Sequence, residues 1–436
     1  MASPTAGPRR GGWYYGWNIV ALCVLTQIAA NGLPINSMSL FLGSWAADLH
    51  TPISSLLIAL LPLAFVTAAA SPVIGALADK YPARWLLGAG LAGVAVFCLG
   101  ISLATATWHI WALYGLLYPV ALSLSASVPA NAVVSRWFVR RLGLALGITA
   151  FGSGISGVVL PPLVAAVIPL LGWRPIWRIA AAVAGCVVLP LALLLLRDRP
   201  TERDGLDYVT GGDAAQAHHG HGGAAGGGLR STDILKRRNF WLLVGCLVPV
   251  IAAYGGCQQL LAPIAASRGF GQGVAGMLLS VFSLSYVVST LLMGVVSDRF
   301  GNRMPLVILA AIVAVGTAML GFVTTLPVII VATVLVGFGG GLWTLLPAAV
   351  AVEFGAANVG RAFGMLMLFL PINAAIPSII SKVQESTGSY ALSLLALGTV
   401  CLAGGLLVLL MRERRAGHLT AEEKAAAIDE PVTPIP

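Results

Sequence analysis

The amino-acid sequence predicts an all-α membrane protein: twelve transmembrane helices in two six-helix, pseudo-symmetric halves. Three observations carry this. Of the 436 residues, 58% are hydrophobic and only 9% are charged, whereas soluble domains are nearer half apolar and a quarter charged. The apolar residues fall in long continuous runs separated by short polar loops. One charged pattern is written twice, as GALADKYPAR at 75–84 and GVVSDRFGNR at 294–303, both reading G-x-x-x-D-[KR]-[YF]-x-x-R.

The runs are helices because of what lipid demands. A hydrocarbon core of about 30 Å is crossed by roughly 20 helical residues, and open strands would leave backbone groups unsatisfied there. The alternation of a membrane barrel is absent. The expected segments are 17–42, 52–78, 85–105, 108–134, 142–169, 174–196, 239–265, 274–297, 304–324, 327–352, 360–381 and 389–411. Domain bounds follow: an N-terminal half at 1–196, a flexible cytoplasmic linker at 197–238, a C-terminal half at 239–411 and a cytoplasmic tail at 412–436. The linker contains HHGHGGAAGGG, a composition that cannot build a core. Its His218, His219 and His221 have no scaffold to hold a metal, so none is expected. The stretch after Arg9 and Arg10 is too long for a signal peptide and lacks a convincing cleavage site.

Charge sets the orientation. With the termini and linker in the cytoplasm, 21 of the 25 Lys and Arg residues fall inside, and only Arg174, Arg178, Arg268 and Lys382 fall outside. The positive-inside rule selects this orientation. The net charge of +9 therefore reads as a topology signal; basic residues spread over short loops form no nucleic-acid surface. Cys23, Cys98, Cys186, Cys246, Cys257 and Cys401 all lie in apolar runs without pair or metal spacing, and read as small core residues. The Ala/Leu/Gly-rich composition points to a bacterial inner membrane.

The repeated motif has a physical reading. Gly75 and Gly294 allow a neighbouring helix to approach closely. Asp79 and Asp298 close the second helix of each half, where the helix dipole disfavours a carboxylate. Arg84 and Arg303, five residues on, can compensate. Two copies at matching places favour a conformational latch over ordinary loop charge. Arg136, Arg140, Arg141 and Arg361, at loop positions on the same side, complete the expected latch.

This spacing resembles the loop signature of the major facilitator superfamily, G-x-L-x-D-[RK]-x-G-x-[RK], with Pro82 in place of Gly in the first copy and Gly301 kept in the second. The resemblance spans the whole chain. SRWFVRRLGLALGITAFGSGISG from Ser135, LGWRPIWRIA at 171–180 and GWNIV at 16–20 are similar to stretches of the monocarboxylate transporters and their oxalate/formate-type relatives. GRAFG at 360–364 is a weaker echo in the second half. The resemblance implies alternating-access transport of a small organic acid. Gly143, Gly147, Gly152, Gly154 and Gly157, with Pro161 and Pro162, fit close packing of helix five and loosely resemble an antiporter motif.

The chain departs from that branch in helix eight. Tyr286 and Thr290 stand where the relatives commonly carry an Asp and an Arg. No Lys, Arg, Asp or Glu falls near the middle of any helix, consistent with the cost of an unpaired charge there. The midplane polar groups are neutral: Gln27, Asn31, Tyr118, Ser123, Tyr254, Gln258, Tyr286, Trp343 and Asn373. Each is either interhelical glue or a substrate ligand; all but Ser123 are taken as the candidate substrate-binding set. Pro34, Pro249, Pro263, Pro347, Pro371 and Pro377 are candidates for helix bends.

The expected function is secondary active transport of a small organic acid, monocarboxylate-like or aromatic. Efflux of neutral or hydrophobic compounds is the alternative. A membrane enzyme lacks support, with no zinc pair, nucleotide loop or paired intramembrane carboxylates, and His109 reads as interfacial. A receptor needs no duplicated halves. The expected partners are a small-molecule substrate, a coupled proton or counter-ion and the lipid bilayer. No nucleic acid, cofactor or catalytic residue is expected, and the chain reads as a monomer.

Overall fold

A computed structural model describes residues 14–125, 127–138, 142–198, 231–354 and 359–411. Among these, twelve helices are long and apolar enough to cross a membrane: α1 (Gly16–Asn36), α2 (Ile53–Ala70), α3 (Ala83–Ser102), α4 (Thr107–Trp137), α5 (Leu144–Leu171), α6 (Trp173–Leu195), α7 (Arg238–Ser267), α8 (Gln272–Ser297), α9 (Arg303–Phe322), α10 (Leu326–Phe354), α11 (Arg361–Thr387) and α12 (Ala391–Leu410). The described residues contain no strand. These spans meet the expected segments to within a few residues at most ends. The bundle has a near end, where α1 begins and α12 stops, and a far end opposite.

The departures from straight helix have local causes. Proline lacks an N–H and clashes with the preceding turn. Pro34 lies in a π turn, Gly32–Asn36, after which the chain continues as a helix at Met38–Asp48. The first helix is therefore longer than the sequence predicts. Further π turns at Leu113–Leu117 and Val183–Val188 stand just ahead of Pro119 and Pro190. The eleventh span is broken into Val359–Met367, Leu370–Ala374 and Ile376–Thr387, with Pro371 and Pro377 opening the second and third pieces. Five cysteines are buried, but Cys186 is exposed and so is not a core residue. The stretch read as a flexible linker includes a short helix, Ser231–Lys236, leading into α7. The His218, His219 and His221 cluster and the tail lie outside the described residues.

Packing divides the molecule unevenly. One apolar core at the far end draws on both halves, including Phe41, Trp45, Trp177, Leu261, Phe282 and Leu394. At the near end the cores are separate. Tyr14, Trp137 and Phe138 belong to a cluster within the N-terminal half. Phe240, Leu345 and Phe354 belong to one within the C-terminal half. Close packing is a main cohesive term between helices in lipid, so the halves are held together at the far end, while at the near end each has its own core.

Candidate functional site

The seam between the halves is also polar. Gln258 Nε2 donates to Asn36 Oδ1 at 3.3 Å, and Asn36 Nδ2 donates to the Ser153 carbonyl at 3.0 Å and to Ser156 Oγ at 2.8 Å. Gln259 Nε2 reaches the Ile35 carbonyl at 3.4 Å, and the Ala262 N–H donates to Ser39 Oγ at 3.0 Å. Ser280 Oγ donates to the Val158 carbonyl at 2.6 Å. At the far rim, Glu385 accepts from the Ser54 N–H at 3.0 Å and the Ser54 hydroxyl at 2.7 Å, while Ser378 Oγ donates to the Ser54 carbonyl at 2.8 Å. All these bonds lie between the middle of the bundle and its far end.

Glycine makes the approach of α5 to α8 possible. A Cβ at Gly157 would lie 2.3 Å from Ser283 Oγ, and one at Gly154 would lie 2.5 Å from Val287 Cγ2. Gly152 faces α1 at Val24 and Gln27 in the same way, whereas Gly147 faces nothing within 4 Å. The packing reading of the glycine run thus holds at Gly152, Gly154 and Gly157.

The neutral tier lies next to this seam, from the middle of the bundle toward the near end. On α1, Asn31 Nδ2 donates to the carbonyl and to Oε1 of Gln27, both at 3.1 Å. On α7 and α8, the Tyr254 ring lies 4.9 Å from Phe282 and 6.2 Å from Tyr286. Tyr286 fits because α10 has a glycine opposite it: a Cβ at Gly340 would come within 2.0 Å of the ring. Gly339 similarly faces Tyr254, and Trp343, one turn on and 38% exposed, continues that side of α10. Tyr118 is set apart from these residues. It is fully buried and its hydroxyl donates to the Ala30 carbonyl at 2.8 Å, which is the arrangement of interhelical glue. Thr290 is likewise occupied, donating to the Val287 carbonyl at 2.8 Å. Asn373 is buried in the short middle piece of α11.

The two copies of the charged motif fold differently. Gly301 takes φ +73°, a left-handed conformation that suits glycine, whereas Pro82 at the matching place has φ −57°. Arg84 lies 5.3 Å over the Trp85 ring, and the Arg303 guanidinium donates to the Leu409 carbonyl. Neither is paired with a carboxylate among the described residues. The close approach expected at Gly294 is not made, since a Cβ there would stand 3.6 Å from Thr344 Cγ2, an ordinary contact. The surroundings of Gly75 and the side chains of Asp79 and Asp298 lie outside what is described, as do Arg140 and Arg141. Arg136 closes α4 at the near end, and Arg361 opens α11 there.

Several structural contributors are not in the expected set. Asp198 Oδ1 accepts the N–H groups of Ala83 at 2.5 Å and Arg84 at 3.3 Å, capping α3 from the far side of the sequence. His109 Nδ1 accepts from the Ala106 N–H at 3.1 Å and so serves the start of α4. Asp48 accepts from Trp173 Nε1 at 2.9 Å and Arg174 at 2.7 Å, tying α6 to the end of the first helix. The spacing of polar residues on the first helix could have singled out Asn36. Asp198, Ser54 and Glu385 carry no local signal, because their partners are more than a hundred residues away.

Comparison with known proteins follows the same lines. The model of the Major Facilitator Superfamily matches residues 20–262 and 254–435. Monocarboxylate transporter 11 of Mus musculus is 25% identical over 422 residues, covering 93% of this chain and 88% of the relative. Monocarboxylate transporter 12 of Mus musculus is 28% identical over 317 residues, covering 67% of this chain and 62% of the relative. Among solved structures, a bacterial homologue of the human lysosomal transporter Spinster superposes with a TM-score of 0.67 at 14% identity, covering 92% of this chain and 96% of that one.

Proposed function

The chain belongs to the Major Facilitator Superfamily, and we propose that it is a secondary active transporter moving a small organic acid, monocarboxylate-like or aromatic, by alternating access. That it is an integral membrane protein of a transporter family, acting on small organic substrates, follows from the family and from its resemblance to monocarboxylate transporters. The finer reading rests on one observation. The halves share a core at the far end and have separate cores at the near end, with a neutral polar tier beside the closed seam. A site reached from one end, between two bodies that can rock, is what alternating access requires.

In this reading the near end is cytoplasmic, as the placement of 21 of 25 basic residues favours, and the described conformation faces inward. Tyr254, Gln258, Tyr286, Trp343, Gln27 and Asn31 form the wall that meets substrate, and Tyr118 supports it. The repeated motif, with Asp79 and Asp298, acts as a latch in the opposite, outward-facing state, where the near ends of the halves would meet. Substituting both aspartates by Asn would impair transport more than it lowers the amount of folded protein.

The test is counterflow. Proteoliposomes loaded with unlabelled lactate, pyruvate or phenylacetate would be presented with the same compound radiolabelled at about pH 6, where a weak acid regains some neutral form. Uptake above protein-free liposomes for at least one compound supports the reading. No exchange of any of the three would remove the acid, and leave efflux of neutral compounds as the better description.

A further inference from the structure

Asn373 is 7% exposed, and neither its amide nitrogen nor its amide oxygen has a hydrogen-bond partner among the described residues. Buried polar groups are nearly always paired, because an unpaired one has lost its water without replacement. The other amides of the tier have partners: Asn31 with Gln27, Asn36 with Ser153 and Ser156, and Gln258 with Asn36. Asn373 differs from all of them in having both ends open.

Its surroundings explain why the protein does not satisfy it. The residue sits in Leu370–Ala374, a single turn isolated by breaks on both sides. Pro377, one turn on, packs against Gly256 of α7, with Pro377 Cγ 3.9 Å from a Cβ position there. Ile372, next in sequence, is 53% exposed, whereas Asn373 is buried. Tyr254 lies two residues before Gly256 on α7, about half a turn away. The middle piece of α11 packs on α7 and α2. The titratable groups in the middle of α7 are Tyr254, Cys246 and Cys257, and α2 has none between Leu60 and Ala70. On its own span the nearest charges are Lys382 and Arg361, roughly 14 and 18 Å away along the helix.

We propose that Asn373 is a substrate ligand that reads an uncharged donor–acceptor edge, so that the site takes a carboxylic acid in its protonated form, or the matching primary amide, rather than a carboxylate. The inference rests on the transport reading and deepens it. The amide presents an N–H donor and a C=O acceptor side by side. A neutral carboxylic acid presents a C=O and an O–H, and a primary amide a C=O and an N–H, with the same spacing. Either forms two parallel hydrogen bonds with Asn373. A carboxylate offers two acceptors, so one of its oxygens would face Asn373 Oδ1 without a proton between them. Among the described residues, neither the middle of α7, nor α2 between Leu60 and Ala70, nor the middle of α11 carries a cation to offset the charge. The Tyr254, Phe282 and Tyr286 rings elsewhere in the tier suit a flat apolar body.

The test uses phenylacetic acid, phenylacetamide and methyl phenylacetate, which share one body and differ only at the edge. Binding to purified full-length protein is measured by calorimetry across pH 5 to 8 for wild type and Asn373→Leu. Wild type should bind the amide with no pH dependence, the acid more tightly as pH falls, and the ester weakly, since the ester lacks a donor. Asn373→Leu should lose roughly thirtyfold in amide affinity, two bonds' worth, and lose far less for the ester, which keeps only an acceptor. The empty variant should melt no lower than wild type, because an unpaired buried amide is removed; a structural role would lower its melting temperature. Equal loss for amide and ester, or no loss for either, overturns the assignment of Asn373 alone. Failure of all three compounds to bind wild type overturns the acid reading as well.

Discussion

Glu385 of α11 accepts hydrogen bonds from both the backbone N–H and the hydroxyl of Ser54, at 3.0 and 2.7 Å, and so caps the first turn of α2 in the opposite half. One carboxylate thereby joins two bodies that share no covalent link at that end. Ser54 is buried and Glu385 is exposed, and a charge-assisted contact with one partner in solvent is worth about 1 kcal/mol. Glu385→Ala should move the balance toward the far-open state by roughly fivefold, about 1 kcal/mol. Labelling of a cysteine placed at Ser39, beneath the clasp, reads the change; an unchanged labelling rate would show that the clasp does not hold the seam.

The α5–α8 approach predicts a second effect. At Gly157 an added methyl group would sit 2.3 Å from Ser283 Oγ, a distance that side-chain atoms do not tolerate. Gly157→Ala should therefore weaken the far-end closure by about 1–3 kcal/mol, the usual cost of overpacking. The companion Ser283→Gly should relieve it. Recovery of the wild-type labelling rate in the double variant is the expected outcome, and additive damage would speak against the contact.

Asp198 supplies a third. It accepts two N–H groups at the start of α3, which otherwise have no intrahelical partner. Asp198→Ala should lower stability by about 1 kcal/mol, a typical cap loss, while Asp198→Asn retains most of the effect. Thermal melting in detergent distinguishes them, and equal melting of wild type and Asp198→Ala would exclude a capping role.

Tyr390, in the loop between α11 and α12, gives a pH prediction. Burial, and then the nearby Glu385 charge, push its phenol from an ordinary 10.0 up to about 12. The folded pKa is raised, so folding holds the phenol proton more tightly than the unfolded chain does. The associated stability is complete below about pH 10 and is lost as pH rises toward about 12. Tyr390→Phe should flatten that part of a melting-temperature profile; the same slope in both proteins would assign it to another group.

The fold was legible in the sequence because lipid imposes a simple rule: runs of apolar residues long enough to cross must be helical. The glycine contacts of α5 at Gly152, Gly154 and Gly157 were legible for a similar reason, since a helix rich in small residues has few other uses. The broken α11 could be anticipated only as prolines, Pro371 and Pro377, because whether proline bends or interrupts a helix depends on its neighbours. Sequence placed Tyr118 among the substrate ligands; its hydroxyl belongs to the Ala30 carbonyl. The clasp could not be read, because Ser54 and Glu385 are ordinary residues until the fold sets them together.

The most direct measurement takes Ser54→Cys with Ser378→Cys in a chain whose native cysteines are replaced, where Ser378 Oγ lies 2.8 Å from the Ser54 carbonyl. Oxidation should cross-link the far ends of the halves, verified by mass spectrometry. Alternating access predicts that counterflow of lactate, pyruvate or phenylacetate, whichever the reduced protein exchanges, falls by roughly tenfold or more on cross-linking and returns with reductant. A cross-linked chain that exchanges at the full rate, or a pair that never cross-links, would contradict the account.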